Sequence, residues 1–145
     1  MTPSSTGLLL DTCALIWLAN GDPLASEALK AIGTAAVTES LFVSPVSAWE
    51  IGILSQPRAN RRPAATFLPD PKTWFSKLLN NRGMRLAALT PEIAIDAYHL
   101  PGPFHGDPAD RLIVSTALHL GVPVLTRDTN TLAFAQAGHI AATAC

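Results

Sequence analysis

The chain has 145 residues, of which 48% are hydrophobic and 14% charged, and its formal net charge is −1. That length fits one domain spanning residues 1–145, able to bury roughly 70% of its unfolded surface. The near-neutral balance does not look like a nucleic-acid binder, the two cysteines exclude a disulfide framework, and no apolar stretch reaches the roughly 20 residues of a membrane span.

The predicted elements alternate between strand and helix. A strand at residues 7–10 runs into Asp11, and a helix over about 12–19 ends at Asn20-Gly21 with Pro23 close behind. A second helix covers Leu24 to Val37, and Leu41 to Ser44 is a short buried strand. Ser44 then caps a helix with Pro45 at its first position, which carries Trp49 and Glu50 and stops near Ser55-Gln56-Pro57. Residues 56–71, with four prolines and three arginines, read as an excursion. Asp70-Pro71 caps a helix through Leu79, closed by Gly83. Arg85 to Leu89 is a strand, Thr90-Pro91 starts a helix, and a Pro/Gly-rich loop covers Leu100 to Gly106. Asp107-Pro108 opens the helix that carries Asp110, and Gly121 closes it. Val122 to Thr126 is a strand, and a last helix runs to about Gln136. This alternation predicts an α/β fold, a parallel sheet with helices on both faces, whose ligands bind beyond the carboxyl ends of the strands.

Four acids fall at that edge: Asp11, Glu50, Asp110 and Asp128. Gathered together, unpaired carboxylates raise each other's pKa values and call for a cation, and oxygen ligands suit Mg2+ or Mn2+. Each also has a plain alternative. Asp11 and Asp107 read as helix N-caps, Asp110 as the third residue of a capped helix, Asp128 as a turn residue and Glu50 as helix surface. What the plain readings leave unexplained is their coincidence at the ends of successive elements. The apolar neighbours of Glu50, including Trp49 and Ile53, leave its helix little polar face. Trp17, Trp49 and Trp74 are expected in the core, and Cys13, following an apolar strand, is expected to be buried. Ser47 lies one helical turn before Glu50, within reach of a carboxylate or a metal-bound water, and an ordinary helix serine is the alternative. Setting the four acids aside leaves 7 acidic residues against 10 basic ones, 7 of them Arg, the better phosphate partner. The low charged fraction also hints at apolar surface covered by a partner, although an Ala-rich composition explains it equally well.

The stretches Leu8-Leu9-Leu10-Asp11-Thr12-Cys13-Ala14-Leu15, Ser47-Ala48-Trp49-Glu50-Ile51, His105-Gly106-Asp107-Pro108-Ala109-Asp110-Arg111-Leu112 and Val124-Leu125-Thr126-Arg127-Asp128, in that order, resemble the PIN-domain ribonucleases. The closer resemblance is to the VapC-type toxins of toxin–antitoxin modules, and it covers the chain from about Leu8 to Phe134. It implies a three-layer α/β/α sandwich with a central parallel sheet of about five strands. Asp11, Glu50, Asp110 and Asp128 take the family's metal-binding positions, with Asp107 a frequent companion. Thr12, Ser47 and Thr126 take positions of small hydroxyl residues near the site. Homodimerisation and inhibition by a cognate antitoxin are implied as well. The chain departs from the pattern at Cys13, where His is common, at Gly106, where Arg is common, and at Ala109, where a large aromatic is common. Leu54-Ser55-Gln56 also lacks the basic residue that commonly follows the Trp-Glu helix. These departures bear on substrate choice and antitoxin contacts.

The expected reaction is metal-assisted hydrolysis of an RNA phosphodiester in the cytoplasm, where free cysteines and the lack of a signal peptide place the chain. Asp11 and Asp110 are expected as direct ligands, Asp128 as a direct or water-mediated one, and Glu50 as a ligand or as the base that orients water. Arg111 and Arg127 are expected to hold phosphate or to neutralise neighbouring acids, and Arg58, Arg61 and Arg62 to grip the RNA backbone. A phosphatase or receiver-type phosphotransfer domain is the competing enzyme. It needs a lysine near the phosphate, and Lys30, Lys72 and Lys77 all fall on predicted helices or their approaches. A degenerate, non-catalytic binding module is the other alternative.

Overall fold

The computed structural model describes residues 7–59, 62–81 and 83–145. Five strands, β1 (Leu8–Leu10), β2 (Leu41–Val43), β3 (Met84–Leu86), β4 (Val124–Thr126) and β5 (Ala142–Ala144), pair in the order β3-β2-β1-β4-β5. Every pair is parallel. The helices among them are α1 (Thr12–Asn20), α2 (Ser26–Val37), α3 (Pro45–Leu54), α4 (Pro71–Leu79), α5 (Pro91–Asp96), α6 (Pro108–Leu120) and α7 (Thr129–Gln136).

Strand β1 explains the layering. Its three leucines are all buried, as a strand covered on both faces requires. Leu8 and Leu10 pack with Ala14 and Leu15 of α1, Ala28 and Ile32 of α2, and Leu78 of α4. Leu9 faces the other way, onto Ala109, Ile113 and Ala117 of α6. Val124 and Leu125 of β4 divide between the same two clusters. The sheet is thus the middle layer of three.

Successive strands step outward from β1 to β2 to β3, and the chain then crosses back to lay β4 on the other side of β1. The reversal point between β1 and β4 opens a crevice at their carboxyl ends, the usual ligand site of such sheets. Gly21 and Gly121 end α1 and α6 in left-handed conformations, φ 73° and 67°, which glycine adopts without a Cβ clash.

Several expectations need correction. The five parallel strands are those the resemblance implies, but the residue signals locate only four, and β5 is not among them. Two of its three residues are Ala, which is depleted in strands, and it is held by pairing with β4. Strand β3 is Met84–Leu86 rather than residues 85–89, α2 starts at Ser26, and α4 is capped by Asn80 rather than closed by Gly83. Trp49 is not core: it is 58% exposed. Helix α3 buries Val46, Ser47 and Ile51, and Trp49 stands two residues from Ser47 and Ile51, about 200° round the helix. Ile53 shares that outer face, so the apolar neighbours of Glu50 do not enclose it from that side. Trp74 is half-buried, edge-on to Phe67 with ring centroids 4.9 Å apart. Phe67 is itself buried and pins the excursion at residues 56–71 to the core.

Candidate active site

Strand β1 delivers Asp11 and strand β4 delivers Asp128 to the crevice, each at the start of a helix. Asp11 caps α1, its Oδ1 accepting from the Ala14 amide at 2.8 Å. Its Oδ2 accepts from the Thr126 hydroxyl at 2.5 Å, which ties β1 to β4. The same Thr126 oxygen accepts from the Asp128 amide at 2.9 Å. Asp128 caps α7 through Oδ2, which accepts from both the amide and the hydroxyl of Thr131 at 2.8 Å. Asp107 caps α6, accepting from the Asp110 amide at 2.9 Å. Asp110, with Pro108 and Ala109 between it and the cap, is the third residue of that helix.

Glu50 enters from α3. The Thr12 hydroxyl donates to its Oε1 at 2.5 Å, and Ser47 Oγ lies 2.9 Å from Thr12 Oγ1. A threonine hydroxyl has one proton, so Ser47 is the donor in that second bond. The chain Ser47 to Thr12 to Glu50 is therefore directional and delivers a proton-donating hydroxyl to the carboxylate. Thr12, Ser47 and Thr126 are all buried.

Asp11, Glu50, Asp110 and Asp128 line one cavity of about 280 Å³, together with Thr12, Cys13, Trp17, Ile113 and Arg127. Burial, the largest influence, pushes Asp11 above its ordinary pKa against its two hydrogen bonds, and Asp128 adds to the push. Glu50 is also raised, by burial first and then by Asp107 and Asp11, while Thr12 opposes the rise. Asp110 is raised furthest, to about 7, by burial and by the charges of Asp107 and Asp128. Folding has thus placed carboxylates where their ionised forms are disfavoured, a pattern frequent at functional sites. Among the described residues no three Asp, Glu, His or Cys side chains already close to the spacing of a metal shell. The caps and hydroxyls hold Asp11, Glu50 and Asp128 on separate elements around the cavity. Fit to a cation therefore rests on the donor set. Carboxylate and hydroxyl oxygens are matched to a hard divalent ion, with the Cys13 thiol the one soft donor in the lining.

The remaining expected residues divide. Asp107 acts on the cavity by its charge on Asp110 and Glu50. Arg127 lines the cavity, whereas the Arg111 guanidinium donates to the carbonyls of Phe104 at 2.6 Å and Ala97 at 3.3 Å and lies over the Tyr98 ring. Arg111 so binds the loop before α6 to the helix that carries Asp110. Arg58 and Arg62 are exposed in the excursion and do not line the cavity, and Arg61 lies outside the described residues. Lys30 and Lys72 line other clefts, and no lysine lines this one.

Cys13 is exposed rather than buried, because α1 turns it into the cavity while Ala14 and Leu15 turn to the core. Trp17, four residues on, shares that face and was missed as a site residue. The i, i+4 spacing from Cys13 was the available signal. Gly106 packs so closely that a Cβ there would stand 2.9 Å from Asp110 Cβ and 2.4 Å from the Phe104 ring.

A parallel sheet with acids at its reversal point defines a class of α/β domains, and sequence comparison supplies the family. The PIN domain pattern matches residues 8–139, and the chain belongs to that family. It is 32% identical to Ribonuclease VapC22 of Mycobacterium tuberculosis over 124 residues, 85% of this chain and 88% of that protein. Its fold is similar to a chain of VapBC2 from Rickettsia felis, solved bound to a DNA fragment from their promoter. There the TM-score is 0.62 at 14% identity, covering 94% of this chain and 97% of the other. It is also similar to a chain of FitAcB from Neisseria gonorrhoeae, with a TM-score of 0.51 at 19% identity over 93% and 95% of the two chains.

Proposed function

We propose that this chain is a divalent-metal-dependent endoribonuclease and the toxin of a toxin–antitoxin pair. The observation that carries the reading is the meeting of Asp11, Glu50, Asp110 and Asp128, from four separate elements, around one cavity in a PIN-domain chain. In this reading Asp11, Asp110 and Asp128 hold Mg2+ or Mn2+, with Glu50 beside them. When bound, such a cation polarises the phosphodiester and strengthens water as a nucleophile at neutral pH.

The protein side chains have separate tasks. Thr126 and the Ala14 amide fix both oxygens of Asp11, so its carboxylate is set before any ligand arrives. Glu50, pushed above its ordinary pKa by burial, is the base that takes the proton from the attacking water. Thr12 and Ser47 hold it in one orientation. Water oxygen bonds to phosphorus, the bond to the leaving ribose oxygen breaks, and that oxygen takes a proton from solvent. A phosphatase-type mechanism lacks its lysine here, since none lines the cavity.

The partners in this reading are RNA, a second copy of the chain and an antitoxin. Apolar surface for such partners is present: Trp49, Ile53, Ile95 and Tyr98 are all more than half exposed. No helix of the described residues is long and apolar enough to cross a membrane. In the toxin reading the protein acts in the cytoplasm. The decisive experiment incubates purified protein with RNA in Mg2+, in Mn2+ and in EDTA, with Asp110→Asn alongside. Cleavage is expected in both metals and in neither control. Cleavage that survives complete chelation overturns the metal-dependent reading.

A further inference from the structure

Arg127 stands in an unusual position for a cation beside an acid cluster. It lies between Thr126, which bonds Asp11, and Asp128, and it lines their cavity. Yet it joins neither carboxylate: among the described residues the one ion pair is His119–Asp96, on another part of the molecule. Its guanidinium is instead stacked on Trp17, 4.0 Å from the ring centroid, and donates to the Pro23 carbonyl at 3.0 Å. Its charge also acts on the Cys145 thiol, opposing the rise that burial gives it.

The indole covers one face of the guanidinium plane, the Pro23 carbonyl takes one of its five N–H donors and the Cys145 sulfur draws on another, which leaves donors to meet an anion. An arginine beside a carboxylate ordinarily pairs with it through charge-assisted hydrogen bonds. Here an indole face and a carbonyl hold it clear, so its positive charge stays available at the cavity rim. A phosphodiester approaching four carboxylates needs such a charge, and a planar guanidinium matches the geometry of phosphate oxygens.

We propose that Arg127, clamped by Trp17, is the preset phosphate contact that positions the RNA strand over the acid-lined cavity. Trp17 is then a positioning residue acting through Arg127. The inference rests on the ribonuclease reading and names how that site takes its substrate. It predicts that the two residues work as one unit.

The test measures binding of a fluorescein-labelled single-stranded oligoribonucleotide to the full chain in EDTA across a salt series, together with kcat and KM for cleavage in Mg2+. Arg127→Gln is expected to weaken binding about 10-fold at low salt and to lower the salt slope by about one contact. It should raise KM more than it lowers kcat. Trp17→Leu, which leaves the arginine in place, is expected to weaken binding several-fold, and Trp17→Phe to restore most of it. The double variant should be no worse than Arg127→Gln alone. Melting curves identify variants that have merely lost their fold, and Trp17→Phe keeps the test readable if Trp17→Leu is one of them. Unchanged binding and salt slope in Arg127→Gln, with the wild type still cutting RNA, overturn this inference alone. Losses that add independently in the double variant overturn the clamp. A wild-type chain that neither binds nor cuts RNA overturns the ribonuclease reading and this inference with it.

Discussion

Asp70 and Asp11 do the same local job in opposite surroundings. Each is itself in an extended conformation, caps a helix and accepts a backbone amide at 2.8 Å. Asp70 is exposed, and its bonds to the Thr73 amide and hydroxyl pull its pKa below the ordinary value. Asp11 also gains a hydroxyl bond, from Thr126, yet burial carries it the other way. The cavities beside them differ likewise. Asp70 edges an apolar groove of about 660 Å³ between α3 and α4, lined by Ile51, Phe75 and Leu79. Asp11 edges a cavity of about 280 Å³ in which four carboxylates meet. Size does not locate chemistry here; convergence of carboxylates does, and Asp11, Glu50 and Asp110 among them resist ionisation. A cap in solvent is sufficient to itself, whereas a cap in the cavity awaits a counter-charge.

The largest expected effect separates the two sites by catalysis. Asp110→Asn or Asp11→Asn should lower RNA cleavage by more than the roughly 10–100-fold typical of groups one shell removed from a metal. Asp70→Asn should leave cleavage within about two-fold, since Asn caps a helix nearly as well as Asp. Single-turnover cleavage in Mg2+ decides this. Equal losses at Asp70 and Asp110 would erase the distinction.

A second effect is thermodynamic. Asp110 has its folded pKa raised from 3.8 to about 7. Between those values the folded chain holds a proton that the unfolded chain releases, so stability from this group is lost as pH rises through about 7. Asp11 and Glu50, also raised, act in the same direction. In EDTA the melting temperature should therefore fall from pH 5 to pH 8, and Asp110→Asn should flatten the fall. Mg2+ should raise the melting temperature more at pH 8 than at pH 5, because ionised carboxylates bind it best. A melting temperature in EDTA that climbs steadily over this range would refute the claim that the cluster is strained.

These contrasts show why the sequence was readable in some places and not in others. Helix starts were plain because Ser44-Pro45, Asp70-Pro71, Thr90-Pro91 and Asp107-Pro108 each place a capping oxygen before a proline, and all four cap helices. The four acids could be picked out by their places at strand ends, since a parallel sheet brings those ends together. Strand β5 was invisible because Ala142-Thr143-Ala144 owes its conformation to β4, not to its own side chains. Trp49 was misplaced because α3 is apolar nearly all round, so its pattern marks no inner face. Cys13 was misplaced because its backbone neighbours point to the core while its own side chain points to the cavity. The clamp of Arg127 on Trp17 joins residues 110 positions apart, which no local pattern encodes.

The smallest effect sharpens the comparison of caps themselves. Asp70→Ala should cost about 1 kcal/mol at any pH from 5 to 8, the usual loss of a cap. Asp107→Ala loses the same cap, to the Asp110 amide, but also removes a charge that repels Asp110 and Glu50. In EDTA at pH 8, where Asp110 is largely ionised, the two changes oppose each other and the net cost should fall well below 1 kcal/mol. At pH 5 Asp110 is protonated, that relief largely disappears, and the cost should return toward about 1 kcal/mol. Asp107→Asn keeps the cap and removes the charge, so it should match or exceed the wild type at pH 8. Chemical denaturation at the two pH values gives all six differences. If the cost of Asp107→Ala does not change with pH, its carboxylate is a cap alone, no different in kind from that of Asp70, and its charge carries no weight in the cavity.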